Sequence, residues 1–283
     1  MPFAAETATM GPKSGDKTVD IESYKQLAIT REGRVLTIAM NRPELLNAVN
    51  HDLHVEMSRV FDEAADDPDC DVIVLTGSGR AFSAGGDMQW LGQQVRGDRT
   101  PFVREIRTIR RIAYSVLDCP KPVIAKVNGD AFGFGASIAL VCDVIFAADH
   151  ARFADPHVRL GLAAGDGGAL IWPQLIGYAK AKHFLLTGDA VAAPEAERLG
   201  LITFCVPSAE LDEKVAAYAA KLVRGAQSAI RYTKMATNAP LRQLFGSAFE
   251  IGAAYEGLTL ETEDFREGVS ALIEKRRPEF KGR

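Results

Sequence analysis

His157 and Asp166 stand nine residues apart, at the two ends of a segment that closes on Gly161-Leu-Ala-Ala-Gly-Asp-Gly-Gly168. Histidine titrates near neutral pH, and a carboxylate beside it orients and charges the ring. The pair reads as a proton-handling dyad, with Asp166 orienting His157, or with Asp166 itself as the acid or base. A structural reading competes: an aspartate ahead of a helix starting near Gly167 caps it, and His157 fills space. Two other segments, Arg80-Ala-Phe-Ser-Ala-Gly-Gly-Asp87 and Asn128-Gly-Asp-Ala-Phe-Gly-Phe-Gly-Ala136, place glycine and alanine where a loop leaves a strand. Main chain without side chains can approach a ligand closely there. Taken singly, such segments also describe plain tight turns.

The elements that must position these groups follow a repeating rhythm. Arg34 to Met40 alternates, with Leu36, Ile38 and Met40 on one face, which predicts a strand. From Leu53 the apolar positions Met57, Val60, Phe61 and Ala64 recur at helical spacing, and Asp67-Pro68 ends that helix. Asp71-Val-Ile-Val-Leu-Thr76 suits a strand buried on both faces. A second pass gives a helix over 99–117, a strand over Val123–Val127, a small-residue helix over Phe134–Cys142 and a strand over Val144–Ala148. Beyond residue 167 the pattern is mostly helical, apart from Leu201 to Val206. Strands and helices that alternate, then helices that cluster, predict an α/β core with a helical C-terminal extension. Residues 1–20 read as a flexible leader, 21–206 as the core and 207–283 as the helical region.

Composition narrows the function classes. The 283 residues carry 33 Lys and Arg against 37 Asp and Glu, a net charge of −4, with 47% hydrophobic residues. That is a globular composition, and its acidic balance offers no general attraction for nucleic acid. No apolar run approaches the roughly 18–20 residues that span a bilayer, and Met1 to Asp20 lacks the apolar core of a secretory signal. The four cysteines, Cys70, Cys119, Cys142 and Cys205, are far apart without metal-ligand spacing, which favours a reduced, cytoplasmic setting. Gly133-Phe-Gly135 lacks the later glycine and acidic residue of a nicotinamide site. Neither a metal nor a bound cofactor is expected. His51 and His54, at a helix start, read as surface residues, and Trp90 shows no partner at diagnostic spacing.

Taken in order, several segments carry a resemblance. They are Asn41-Arg-Pro-Glu-Leu-Leu-Asn-Ala48, Phe82-Ser-Ala-Gly-Gly-Asp87, Lys121-Pro-Val-Ile-Ala-Lys-Val-Asn-Gly129, Cys142-Asp143, Leu186-Thr-Gly188 and Glu274-Lys-Arg-Arg-Pro-Glu-Phe280. Over roughly residues 25–283 the chain resembles the enoyl-CoA hydratase/isomerase family, the crotonase superfamily. The resemblance implies a spiral of ββα turns, a C-terminal helical trimerisation region, and homotrimers or dimers of trimers. It implies an acyl-CoA substrate, with coenzyme A entering as part of that substrate. It implies an oxyanion hole made by the N–H groups of Gly86 and Phe134. Such donors are worth about 3–4 kcal/mol each in a dry site, and a helix start at Phe134 favours an anion. It places Ala48, Ala84, Gly85, Asp87, Met88, Gly133, Ser137 and Pro156 along the bound thioester. Arg80, Lys275 and Lys281 are candidates for phosphates, or are plain surface charges.

The chain departs from the hydratases at both glutamates that the family uses for water addition. One position is Ser137. The other follows Phe153-Ala-Asp-Pro156 and is His157. The stretch His157-Val-Arg-Leu-Gly-Leu-Ala-Ala-Gly-Asp166, with Trp172-Pro173 and Phe184-Leu-Leu-Thr-Gly188, resembles instead the 6-oxocamphor hydrolase-like branch, which cleaves a carbon–carbon bond in cyclic β-diketones. That likeness makes Glu256 a further catalytic candidate, against the plainer reading of an exposed helix residue. The expectation is therefore an acyl-CoA enzyme of isomerase or lyase type that stabilises an enolate. The alternatives are a β-diketone hydrolase that needs no coenzyme A, and a catalytically lapsed acyl-CoA binder.

Overall fold

The computed structural model describes residues 18–94 and 100–283, with no side-chain account of 94 or 100–105. Of the expected leader, residues 1–17 lie outside the described residues. The chain enters through β1 (Leu27–Glu32) and β2 (Val35–Met40), an antiparallel hairpin turned at Gly33, whose φ is +56°. Strand β1 precedes the strand expected from Arg34 onward. Its signal was the buried pair Leu27 and Ile29 leading into the Gly33 turn.

Helix α1 (His51–Asp66) buries Leu53, Met57, Val60, Phe61 and Ala64, and Asn50 caps it by accepting from the Leu53 N–H. Strand β3 (Val72–Gly77) is buried at all six positions. Helices α2 (Met88–Gln94) and α3 (Thr100–Asp118) then lead to β4 (Val123–Val127), β5 (Ala131–Phe132) and α4 (Phe134–Val141). The same strand–strand–helix order recurs in β6 (Val144–Ala148), β7 (Arg152–Ala154) and α5 (Gly168–Thr187). Strand β8 (Val191–Ala192), α6 (Ala193–Leu199) and β9 (Phe204–Val206) follow, then α7 (Leu211–Val223), α8 (Gln227–Thr259) and α9 (Glu263–Ile273).

The main sheet runs β1-β2-β3-β4-β6-β9, parallel from β2 onward, with Leu36 beside Ile73 and Ile73 beside Val123. A smaller sheet runs β5-β7-β8. Parallel strands need cover on both faces. One face packs on α1, α3, α4 and α5; the other carries Val72, Val74, Ile124 and Phe146 against Leu211, Val215 and Ala219 of α7. That double cover explains the unbroken apolar run of β3. No helix among the described residues is long and apolar enough to cross a membrane.

Candidate active site

The loop after β3 is strung between two neighbours. Val49 N–H donates to Gly85 O (2.8 Å), and Asp87 N–H donates to Val49 O (3.0 Å). Both bonds of this parallel bridge flank Gly86, so the Gly86 N–H turns to the other side, onto the cavity that Gly86 lines. On the far side, Phe132 N–H donates to Ser83 O (2.9 Å). The Asn47 side-chain amide fixes the loop's start by donating to Ser78 O and Ala81 O. The two glycine segments meet at backbone distance. Gly85 has φ +88° and Gly133 φ +51°, and a Cβ on Gly85 would stand 2.9 Å from Phe132 O. Phe134 opens α4, so its N–H has no intrahelical acceptor. Among the described residues no protein acceptor takes the N–H of Gly86 or Phe134.

His157 faces this pair of loops. A Cβ on Gly133 would lie 3.8 Å from His157 Cε1. The residue that orients the ring is not Asp166, as the sequence reading had it. It is Asp155, whose Oδ1 holds Nδ1 in a short hydrogen bond. Asp166 takes the opposite edge, with Oδ2 3.5 Å from Nε2, at the outer limit of hydrogen bonding. Ser137 Oγ, from α4, donates to Asp166 Oδ1 at 3.0 Å. Asp155 lies within Phe153-Ala-Asp-Pro156, and its position two residues before His157 is the sequence signal for this role. Asp166 also accepts from the backbone N–H of Gly168, the first residue of α5, so it meets the helix start as well as His157.

Glu256 is likewise not an exposed helix residue. It is buried on α8 and closes on Gly165, where a Cβ would stand 2.6 Å from Glu256 Oε2. The cluster is therefore three carboxylates around one imidazole. Burial, the largest single influence on His157, works against its charged form. The charges of Asp155, Asp166 and Glu256 outweigh it and hold the imidazole well above its ordinary range. Burial raises the Asp166 carboxyl, opposed by His157 and by the Ser137 hydroxyl. Burial also pushes Glu256 up to about 8, opposed by His157 and assisted by Asp166 and Asp155. Asp155, His157 and Asp166 bring donor atoms within 4.8 Å of one another. The two carboxylates hold opposite nitrogens of one ring, an arrangement that shares protons rather than converging on an ion.

A cavity of about 430 Å³ joins these parts. Gly86, Phe134, His157, Asp166 and Glu256 all line it, as do Ala84, Gly85, Met88, Gly133 and Pro156. Ala48, Asp87 and Ser137 do not. The Ala48 carbonyl accepts from Arg42, and Asp87 pairs with Arg42 at 2.9 Å and caps α2 through the Gln89 N–H. Ser137 stands behind Asp166. Two residues read as unremarkable join the wall: Trp90, and His54, which is buried rather than on the surface and meets Phe134 edge-on at 4.8 Å between ring centroids. His54 sits one helical turn above Asn50 on the buried face of α1, next to Leu53 and Met57, and that position was the signal. His51 is exposed. At the rim, Arg276 of the basic tail is engaged by Glu267 and Glu274.

Comparison with known proteins decides the family. The family model described as enoyl-CoA hydratase/isomerase matches residues 30–283. The chain belongs to the enoyl-CoA hydratase/isomerase family. It is 34% identical over 260 residues to a crotonyl-CoA hydratase of Syntrophomonas wolfei, covering 91% of this chain and 98% of that protein. It is 35% identical over 262 residues to a 2,3-dehydroadipyl-CoA hydratase of Escherichia coli, covering 91% and 99%. A solved enoyl-CoA hydratase/isomerase from Mycobacterium paratuberculosis superposes with a TM-score of 0.83 at 37% identity, covering 87% of this chain and 97% of that one. The expected fold is thus the observed one: an α/β crotonase-like spiral of ββα turns carrying C-terminal helices.

Proposed function

We propose that the protein acts on an acyl-CoA thioester by forming and quenching an enolate at the carbon beside the thioester carbonyl. The carrying observation is that Gly86 and Phe134, whose N–H groups have no protein acceptor among the described residues, line the same cavity as His157, Asp166 and Glu256. Donors fixed before reaction stabilise a developing oxyanion without reorganisation. Proton inventory supports the division of labour. At neutral pH Glu256 is a buried acid able to donate. The imidazolium of His157 is held between two carboxylates, and Asp166 can take and return a proton across the ring or from substrate. Groups whose protonation is set apart in this way suit paired acid–base work.

Coenzyme A enters with the substrate, along Ala84, Gly85 and Met88, and no resident cofactor takes part in the scheme. The single enolate serves double-bond isomerisation or a lyase step. Water addition by two glutamates has no counterpart at Ser137 and His157. A second reading has its own support. Glu256 closes on the His157–Asp166 pair, the set implied by the β-diketone hydrolase branch, in which water attacks a ring carbonyl.

The test is solvent exchange. A panel of saturated and unsaturated acyl-CoA thioesters in D2O is expected to gain deuterium beside the thioester carbonyl. Crotonyl-CoA is expected to hydrate more slowly than about 1 per second, the low end of ordinary turnover. Cleavage of a cyclic β-diketone, with no exchange into any thioester, would replace the first reading by the second. Binding of thioesters with neither reaction would leave an acyl-CoA binder.

A further inference from the structure

Two buried polar atoms behind His157 have no hydrogen-bond partner among the described residues: Asp155 Oδ2 and Trp172 Nε1. Both residues are fully buried, at 0% exposure. An ionised carboxylate oxygen only accepts, and an indole N–H only donates. Native interiors seldom leave either unsatisfied.

Asp155 meets α5 at Gly168. Asp155 Oδ2 occupies the place a Gly168 side chain would take. Trp172 lies four residues further along α5, on the same helix face. Long helical side chains lean back over the turn that precedes them, which carries the indole toward Gly168. Apolar groups close the outside: Leu185 Cδ2 is 3.6 Å from the Gly168 Cβ position, and the Phe184 ring centroid is 5.7 Å from that of Trp172.

We infer that one buried water links the Trp172 indole N–H to Asp155 Oδ2, and that Trp172 is thereby a positioning residue for His157. Asp155 spends its other oxygen on His157 Nδ1. Fixing Oδ2 stops the carboxylate from turning, which fixes the ring plane and aims Nε2 at Asp166 and the cavity. The groups facing the ring are Asp155, Asp166 and Glu256. Arg159, two residues on, turns away to the Thr187 carbonyl and Asp189. The catalytic consequence rests on His157 handling protons as proposed above; the hydrogen-bonded link itself does not.

The experiment uses the full chain with ¹⁵N-labelled tryptophan. It has two indole signals, from Trp90 and Trp172, and Trp172→Phe assigns them. The Trp172 signal is expected to exchange slowly with solvent and to move in Asp155→Asn more than the Trp90 signal does. An unmoved Trp172 signal overturns the inference. Trp172→Phe is expected to lower kcat about tenfold or more with KM within about twofold, the signature of an interaction made at the chemical step. Replacing Trp172 by benzothienylalanine, which keeps the ring system and exchanges N–H for sulfur, is expected to give the same loss. That variant decides the matter if Trp172→Phe does not fold. Native kcat in the sulfur analogue overturns the positioning role. If no thioester or diketone turns over, the His157 Nδ1–H resonance replaces kcat as the readout. It is expected to shift in the sulfur analogue, and an unshifted resonance overturns the positioning role.

Discussion

Gly168 lies directly beneath the Asp155 carboxylate, with no room between them for a methyl group. The relationship explains why the first residue of α5, a helix that breaks at Gly177, is a glycine. Alanine normally favours a helix over glycine by about 1 kcal/mol. At this position Gly168→Ala must instead push Asp155 away from His157. The expected outcome is a fall in turnover of about 10–100-fold, in line with disturbing an acid–base group, while the melting temperature moves by only a few degrees. Turnover and thermal unfolding of the same variant check this. Native activity in Gly168→Ala would show that Asp155 can retreat and His157 still work.

Much of the scaffold was legible because its signals are local. The unbroken apolar run of β3 and the 3.6-residue spacing of α1 each require only a window of neighbours. The dyad residues were legible too, since His157 and Asp166 flank one glycine-bearing segment. What escaped was which carboxylate holds which nitrogen. Asp155 reaches Nδ1 because the turn after β7 folds the chain back within two residues, while Asp166 approaches Nε2 from the start of α5. Sequence distance ranks those two partners without saying which edge of the ring each meets. Glu256 arrives from ninety residues downstream, and its burial depends on Gly165 giving it space. His54 was misplaced for a similar reason: its polarity suggested surface, and the Phe134 and Trp90 rings that enclose it come from α4 and α2, far along the chain.

Glu256 gives the fold a pH dependence of definite sign. Its carboxyl sits at about 8 in the folded chain against an ordinary value of 4.5. The folded state thus binds the proton more tightly, and stability is lost as pH rises from about 4.5 through about 8. His157, raised above 6.5, acts in the same direction over the upper part of that window. Glu256→Gln imitates the protonated form. It is expected to flatten the fall in stability between pH 5 and 8 by on the order of 1–3 kcal/mol. Denaturant titrations at pH 5, 6.5 and 8 measure the slope, and an unchanged slope would place the proton elsewhere.

Helix α8 presents Glu256 inward and, on another face, leaves Ile251, Tyr255 and Leu258 exposed at 58%, 59% and 64%. Spacings of four and three align them as one apolar stripe. Stripes of this kind mark contact surfaces. Self-association of the chain is the expected use, as a trimer or a dimer of trimers. Sedimentation at micromolar concentration should show it, and Ile251→Asp with Leu258→Asp should shift the protein toward smaller species. A stable wild-type monomer under those conditions would remove this expectation.

The sharpest prediction concerns the three residues in line, Asp155, His157 and Asp166. If they act as one unit, removing any member should cost nearly as much as removing two. His157→Ala, Asp166→Asn and Asp155→Asn are each expected to lower turnover by roughly 100–10,000-fold, the span for losing acid–base assistance. The double variant His157→Ala with Asp166→Asn should be little worse than His157→Ala alone. Substrate affinity should change far less, because the groups proposed to hold the thioester oxygen are backbone N–H groups on Gly86 and Phe134. The two asparagine variants should separate by pH. Each removes a carboxylate that holds the imidazolium in its charged form, so each should lower the imidazole pKa. Asp155→Asn additionally removes the hydrogen-bond acceptor on Nδ1 that sets the ring's orientation. Its activity should therefore stay low at every pH, whereas Asp166→Asn keeps an oriented ring. Turnover and substrate affinity on the four variants, with the imidazole titration on the wild type and the two single asparagine variants, measure this. Additive losses in the double variant would mean that His157 and Asp166 work independently.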